Sequence, residues 1–263
     1  MDLNGKVALV TGSAQGLGRA FVEILLKNGA KVSLLDVNVP KGEELKAVFD
    51  QTYGPEQTIF IPCDVTSEVQ LKDAFHKTKE KFGKLDIVCN NAGIANEQDW
   101  EKTITVNLNG VIRGTYLAME IMKQQKEGGV IVNTASVAGL EPLTLMPVYT
   151  ATKHGIIGFT RAMATASTIC KSGVRLNALC PAFVQTNLLD SVIDDDQLAG
   201  VVKTMTIDIM KRIGPLNVSE VAEAFLQLVT DESKNGAIMK IEKQGGANYV
   251  QFQFNTELKT APK

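Results

Sequence analysis

The chain has 263 residues, 44% of them hydrophobic and 21% charged, with a formal net charge of −2 at pH 7. That balance excludes disorder as the main state and gives no electrostatic reason to bind nucleic acid or an anionic membrane. Residues 1–7 contain no basic segment leading into an apolar stretch, and no later segment approaches the roughly 20 apolar residues of a spanning helix, so a cytoplasmic protein without stable membrane association is expected.

In chain order, a first strand is expected over residues 6–10, running into Thr11-Gly12-Ser13-Ala14-Gln15-Gly16-Leu17-Gly18 and an amphipathic helix over 16–28, with Gly29 as its C-terminal cap. Glycines at a strand-to-helix junction let the backbone turn sharply and approach a pyrophosphate, while the helix N-terminus offers free N–H groups to it. A second strand over 31–35 ends at Asp36, eighteen residues past Gly18. A carboxylate there accepts hydrogen bonds from an adenosine ribose and repels a 2′-phosphate. Neither Ser13 nor Val37 offers a compensating cation, so NAD is expected over NADP.

A helix over 41–53 and a strand over 58–61 lead to Cys63-Asp64-Val65, where Asp64 and Val65 are placed to hold the adenine edge. Ser67 is a natural N-cap for a helix over 68–82, and a fourth strand over 85–89 enters Asn90-Asn91-Ala92-Gly93, a turn that closes over the cofactor. There follow a helix over 101–126, a strand over 130–133, a helix over 148–171, a strand over 175–179, a helix over 219–230 capped by Ser219, and a strand over 237–241. This alternation predicts one α/β domain over 1–263, a doubly wound, Rossmann-type parallel sheet with helices on both faces. Residues 186–214 break the pattern with apolar pairs among acidic residues and are read as a substrate flap after the sixth strand; residues 248–263 are a C-terminal tail. Cys63, Cys89, Cys170 and Cys180 lack Cys-x-x-Cys spacing and are expected as buried, reduced thiols. His76 and His154 form no plausible ligand set, so no metal is expected.

Tyr149 and Lys153 are four residues apart and share a helix face. A free tyrosine titrates near ~10, so it becomes a base at neutral pH only where positive charge lowers its pKa. Lys153 is expected to supply one such charge and an oxidised nicotinamide another. Proton abstraction from an alcohol during hydride loss needs a base and a hydrogen-bond donor converging on one oxygen, and Tyr149 with Ser136, thirteen residues earlier, answers that need.

Taken together, Thr11-Gly12-x-x-x-Gly16-x-Gly18, Asn90-Asn91-Ala92-Gly93, Asn107, Ser136 and Tyr149-x-x-x-Lys153 resemble the motifs of the classical short-chain dehydrogenases/reductases, over a span from about Lys6 to the last strand. The resemblance implies an oxidoreductase in which Tyr149 exchanges a proton with the substrate hydroxyl, Ser136 hydrogen-bonds the substrate oxygen, Lys153 binds the nicotinamide ribose, and Asn107 holds a water in the proton relay. It implies a cofactor cleft of Gly12, Gln15, Gly16, Leu17, Gly18, Asp36, Val37, Cys63, Asp64, Val65, Asn91, Tyr149, Lys153, Val184 and Thr186. The substrate site would be lined by Ser136, Met146, Tyr149 and Phe183.

Similarity in Trp100-Glu-Lys-Thr103, Gly158-Phe-Thr-Arg161 and Asn235-Gly-Ala-Ile-Met-Lys240 points to a subgroup acting on a small-molecule lipid alcohol. Trp100 and Phe183 then read as apolar walls, with a core position the alternative for Trp100. Against that subgroup, Met146 replaces a glutamine, Arg212-Ile213 a tyrosine pair and Ala182 a glycine. A hydrogen bond lost from a site shaped for it costs roughly 1–3 kcal/mol, enough to shift preference among lipid alcohols. Two other readings stay open, a reductase of other carbonyls, which Asp36 opposes, and an idle NAD-binding protein, which the retained Tyr149 and Lys153 oppose. Finally, Ala151, Gly155, Gly158 and Ala162 form a nearly bare stripe roughly opposite Tyr149. In the related dehydrogenases this helix pairs with its two-fold mate, so a homodimer is expected.

Overall fold

The computed structural model describes residues 1–144, 146–186 and 214–252, together with Thr204 and Asp208. Among the described residues the strands are β1 (Val7–Thr11), β2 (Lys31–Asp36), β3 (Thr58–Pro62), β4 (Ile87–Asn90), β5 (Gly129–Thr134), β6 (Val174–Pro181), β7 (Ile238–Glu242) and β8 (Gly246–Tyr249). They form one sheet in the order β3-β2-β1-β4-β5-β6-β7-β8, parallel throughout except for the antiparallel β7–β8 pair. The first seven strands lie within a few residues of their predicted positions, and β8 was not anticipated. It follows a turn at residues 243–245 and is exposed along most of its length, so it carries none of the apolar alternation that marks a strand in sequence.

Between the strands run α1 (Gly16–Lys27), α2 (Val39–Tyr53), α3 (Glu68–Phe82), α4 (Trp100–Ile104), α5 (Gly110–Met122), α6 (Pro147–Ile169) and α7 (Val218–Thr230). Residues on alternate sides of each strand feed two different cores. Ala8 and Val10 of β1 join Val32, Leu34, Ile87 and Cys89 under α1, α2 and α7, where Phe21 and Phe225 stack with ring centroids 4.4 Å apart. Val7 and Leu9 face the other way, with Val88 and Ile131, against Phe75 of α3, Met122 of α5 and Ala164 of α6. The sheet is therefore covered on both faces, which is what lets parallel strands be apolar on both sides.

Three local expectations are corrected. The helix expected over 101–126 is interrupted: α4 and α5 are joined by a π-helical turn, Thr105–Asn109, and α5 ends at Met122. The cap of α7 is Asn217 and not Ser219; the Asn217 N–H donates to Glu220 Oε2 at 2.7 Å in a capping box that Ser219, inside the helix, cannot form. Cys170 is exposed at the C-terminal end of α6, whereas Cys63, Cys89 and Cys180 are buried free thiols as expected. The Ser67 cap of α3 is as predicted, with its hydroxyl accepting from Gln70 N. Of the expected flap, residues 187–203, 205–207 and 209–213 lie outside the described residues, as do 253–263 of the tail; the tail's first residues instead complete β8.

Candidate active site

The sheet order reverses between β1 and β4, and in open α/β sheets ligands enter the crevice at the carboxyl ends of such a pair. Here the two emerging loops are tied together. Thr11 Oγ1 accepts from the N–H groups of Asn91 and Ala92, both at 3.0 Å, and Asn91 Nδ2 donates to the carbonyls of Thr11 at 3.0 Å and Gly12 at 3.2 Å. So close an approach leaves no room for side chains. A Cβ on Gly18 would stand 2.0 Å from the Gly12 carbonyl oxygen, and Gly12, at φ +63°, already lies in the left-handed region.

The residues at this crevice fit a dinucleotide. Gln15 enters α1 in an extended conformation without a side-chain cap, and the first turn carries no acidic residue, so its N–H groups suit a diphosphate. Thr186 lies beside Gly16, its Cγ2 3.5 Å from where a Cβ there would be. Leu17 packs against the core beneath the loop. At the end of β2 the Asp36 carboxylate is fixed by Ala14 N and Asn38 N, each donating at 2.9 Å, and each oxygen keeps capacity for a ribose hydroxyl. Val37 beside it is exposed. Cys63 N donates to the Asp36 carbonyl, Thr66 N donates to Asp64 Oδ1 at 2.8 Å, and Val65 is buried against Gly110. Val184 bridges to Leu216 on the far wall. A cation the sequence reading passed over also stands here: Lys41 Nζ donates to Gln15 Oε1 at 2.9 Å. Its signal, a lysine five residues past Asp36, is indistinguishable from a solvated helix residue.

The four expected catalytic residues come from three places in the fold. Ser136 follows β5 and caps a 3₁₀ turn, Val137–Gly139; its Oγ accepts from Ala138 N at 3.1 Å and donates to the Pro181 carbonyl at 3.5 Å. Tyr149 and Lys153 lie on the first turns of α6, with Lys153 Nζ 5.4 Å from the Tyr149 ring centroid. Lys153 is buried and donates to the Thr134 carbonyl at 2.9 Å. Asn107 sits in the π turn, buried, where its carboxamide accepts from Ile94 N and donates to Ile94 O, both at 2.8 Å. Gly93 joins these groups: a Cβ there would lie 3.4 Å from Asn107 Oδ1 and 3.8 Å from Lys153 Nζ.

Burial dominates the electrostatics of the chain's own residues. Burial pushes the Tyr149 phenol up to about 12, against the opposing pull of its hydrogen bond with Ser136. Burial in turn lowers the Lys153 ammonium to about 8, leaving it mostly charged at neutral pH. Cys180, between Ser136 and Lys153, is held protonated by burial, up to about 12. The protein's own residues thus present a neutral phenol beside a desolvated cation.

On the substrate side, Met146 is half-buried at the start of α6, and Phe183, half-buried, follows β6 and holds Leu216 N through its carbonyl at 2.8 Å. Trp100 is not core: it is 49% exposed at the first position of α4. Sequence reasoning missed Glu97, whose carboxylate accepts from Val148 N and Tyr149 N, and Thr152, whose hydroxyl donates to the Tyr149 carbonyl. Glu97 sits in a loop with no local signature. Thr152, immediately before Lys153, offered the weak signal of a hydroxyl on the base-bearing turn. Among the described residues no group of three or more His, Cys, Asp or Glu is arranged to hold a metal, and no helix is long and apolar enough to cross a membrane.

A family model described as short chain dehydrogenase matches residues 6–197. The chain is 47% identical over 266 residues to a 15-hydroxyprostaglandin dehydrogenase [NAD(+)] of Mus musculus, covering 100% of this chain and 99% of that one. Among solved structures it is similar to levodione reductase, with a TM-score of 0.82 and 29% identity over 91% of this chain and 97% of that one. It is also similar to a short-chain dehydrogenase/reductase from Burkholderia phymatum in complex with NAD, with a TM-score of 0.78 and 29% identity over 88% of each chain.

Proposed function

Because the chain belongs to the short-chain dehydrogenase family, we propose that it oxidises the secondary alcohol of a lipid mediator, a 15-hydroxyprostaglandin or related hydroxy-fatty acid, to the ketone with NAD as cofactor. The observation that carries the reaction type is the gathering of the Ser136 hydroxyl, the Tyr149 phenol and the Lys153 ammonium at the mouth of the β1–β4 crevice. The identity to the mouse enzyme along the whole chain supports the substrate class.

When bound, NAD supplies the hydride acceptor. The glycine loop and the uncapped turn of α1 bind its diphosphate, and Asp36 orients the adenosine ribose and disfavours a 2′-phosphate. Ser136 donates to the substrate oxygen, while Tyr149 takes the proton from it. Lys153 is the chain's own source of positive charge near that phenol, and Asn107, locked to Ile94, keeps its carboxamide beside Gly93 and Lys153.

The homodimer reading is supported by α6. Ala151, Gly158 and Ala162 are exposed, and among the described residues nothing lies within 4 Å of a Cβ built on Gly158. Ile169, at the same helical phase as Gly158, is 75% exposed, and Tyr116 of α5, edge-on to Phe159, is 56% exposed. Gly155 departs from the expected stripe, since it packs against Leu108 of its own chain. The buried free thiols support a reducing, cytoplasmic location.

The test is NADH fluorescence with NAD and a panel of prostaglandins, hydroxy-fatty acids, retinol and steroids. The highest kcat/KM is expected for a 15-hydroxyprostaglandin or hydroxy-fatty acid. Turnover confined to retinol or steroids would overturn the substrate assignment.

A further inference from the structure

Helix α6 begins at Pro147, and the residue before it, Met146, provides no side-chain cap, so the N–H groups of the first turn have no acceptor within the helix. Two of them are taken by one carboxylate from a distant loop. Glu97 Oε2 accepts from Val148 N at 3.0 Å, and Glu97 Oε1 accepts from Tyr149 N at 2.8 Å. An anion at a helix N-terminus gains both charge-assisted hydrogen bonds and attraction to the helix dipole, more than a neutral cap offers.

The other side of the Tyr149 backbone is held as well. Its carbonyl accepts from Thr152 Oγ1 at 2.7 Å, and Thr152 Oγ1 accepts from Asn107 Nδ2 at 3.3 Å. Asn107 in turn clasps Ile94 through both halves of its carboxamide. Ile94 and Glu97 are three residues apart in the same loop, so the hydrogen bonds close a ring: Ile94, Asn107, Thr152, the C=O and then the N–H of Tyr149, Glu97, and back. The loop is itself fastened, with the Asn96 carbonyl accepting from Thr103 Oγ1 at 2.6 Å and the Asn96 side chain accepting from Gln98 N and Asp99 N, both at 3.0 Å.

We infer that Glu97 is a positioning residue for the base: by bridging the N–H groups of Val148 and Tyr149 it locks the turn carrying Tyr149 to the loop after β4, so that the phenol is held in register with the groups around Gly93. The inference rests on the reading of Tyr149 as the group that takes the proton. Glu97 acts through the tyrosine backbone, and its effect falls on the chemical step, because none of its bonds reaches the glycine loop or Asp36.

The experiment compares Glu97→Gln, Glu97→Ala and Tyr149→Phe with the wild type. It measures NADH affinity by fluorescence, and kcat and KM with the best alcohol of the panel, below the melting temperature of each variant. Misplacement of a reacting group by about 1 Å costs on the order of 100-fold, so Glu97→Ala is expected to lower kcat by roughly 10- to 100-fold. Glu97→Gln, which keeps the shape and one acceptor oxygen, should fall between it and the wild type. NADH affinity should stay at the wild-type value in both. Wild-type kcat in Glu97→Gln and Glu97→Ala, with Tyr149→Phe inactive, would overturn the inference and leave the base assignment standing. A parallel fall of kcat and NADH affinity would also overturn it, by making the loop a general scaffold. An active Tyr149→Phe would instead overturn the base assignment. If Glu97→Ala does not fold, Glu97→Gln decides alone, by the same kcat and affinity criteria.

Discussion

Lys153→Met should make the protein more stable near neutral pH while abolishing turnover. The ammonium is buried, and that burial lowers its pKa from 10.5 to about 8. At about 1.36 kcal/mol per pKa unit, holding the charged form in the folded state at pH 7 costs roughly 3 kcal/mol. Methionine is unbranched and adapts to the same space without a charge. Against this stands the loss of the 2.9 Å bond to the Thr134 carbonyl, worth about 1 kcal/mol. The net gain is then about 2 kcal/mol, or roughly 5 °C in Tm for a chain of this size.

The pH dependence is diagnostic. Between pH 8 and 10.5 the unfolded chain keeps the lysine proton that the folded chain has released, so wild-type stability rises with pH across that window. Tyr149, raised from 10.0 to about 12, acts in the opposite sense but only above pH 10, where the unfolded chain ionises first. Urea denaturation followed by circular dichroism at pH 7 and pH 9.5, at one protein concentration, should therefore show the advantage of the variant shrinking at the higher pH. A variant less stable than wild type at pH 7, or an advantage equal at both values, would refute the reasoning.

Two further outcomes are expected. Asp36→Ala with Val37→Arg removes the carboxylate and offers a partner to a 2′-phosphate, helped by Lys41 at the Gln15 side, so the NAD/NADP ratio of kcat/KM should fall; a wild type already faster with NADP would contradict the cofactor assignment. A Cβ at Gly158 meets nothing within 4 Å among the described residues, so the fold of Gly158→Leu should persist while sedimentation shifts from dimer towards monomer; a wild type that is monomeric at micromolar concentration refutes the dimer.

Most of the framework was legible because its signals are local. The apolar runs of β1 to β7 and the glycines between β1 and α1 announce themselves within a few residues, and the spacing of Tyr149 and Lys153 requires only that a helix form. What escaped was of two kinds, local alternatives that the sequence left open and contacts across the fold. Ser219 looks like a cap until the Glu220 side chain is seen reaching back to Asn217. Trp100 invites burial by its type, yet it opens a short helix at the surface. Spacing likewise reveals the ammonium near Tyr149 but not the desolvation that raises the phenol in the chain alone. Glu97 was invisible because its partners lie 51 and 52 residues away.

The π turn at Thr105–Asn109 has a consequence for how this protein can change. A wider turn takes up one residue without lengthening the helix, so α4 and α5 keep nearly the phase of an uninterrupted helix while the turn itself bulges. Asn107 can aim its carboxamide at Ile94 while, a few residues on, Val111 and Ala118 are aimed at the sheet. Deleting a single residue here would restore continuous α-helix with the flanking faces nearly in phase, and would lose the widened turn from which Asn107 reaches Ile94. A one-residue deletion in this segment should thus spare the packing of α4 and α5 and cost the Asn107 clasp.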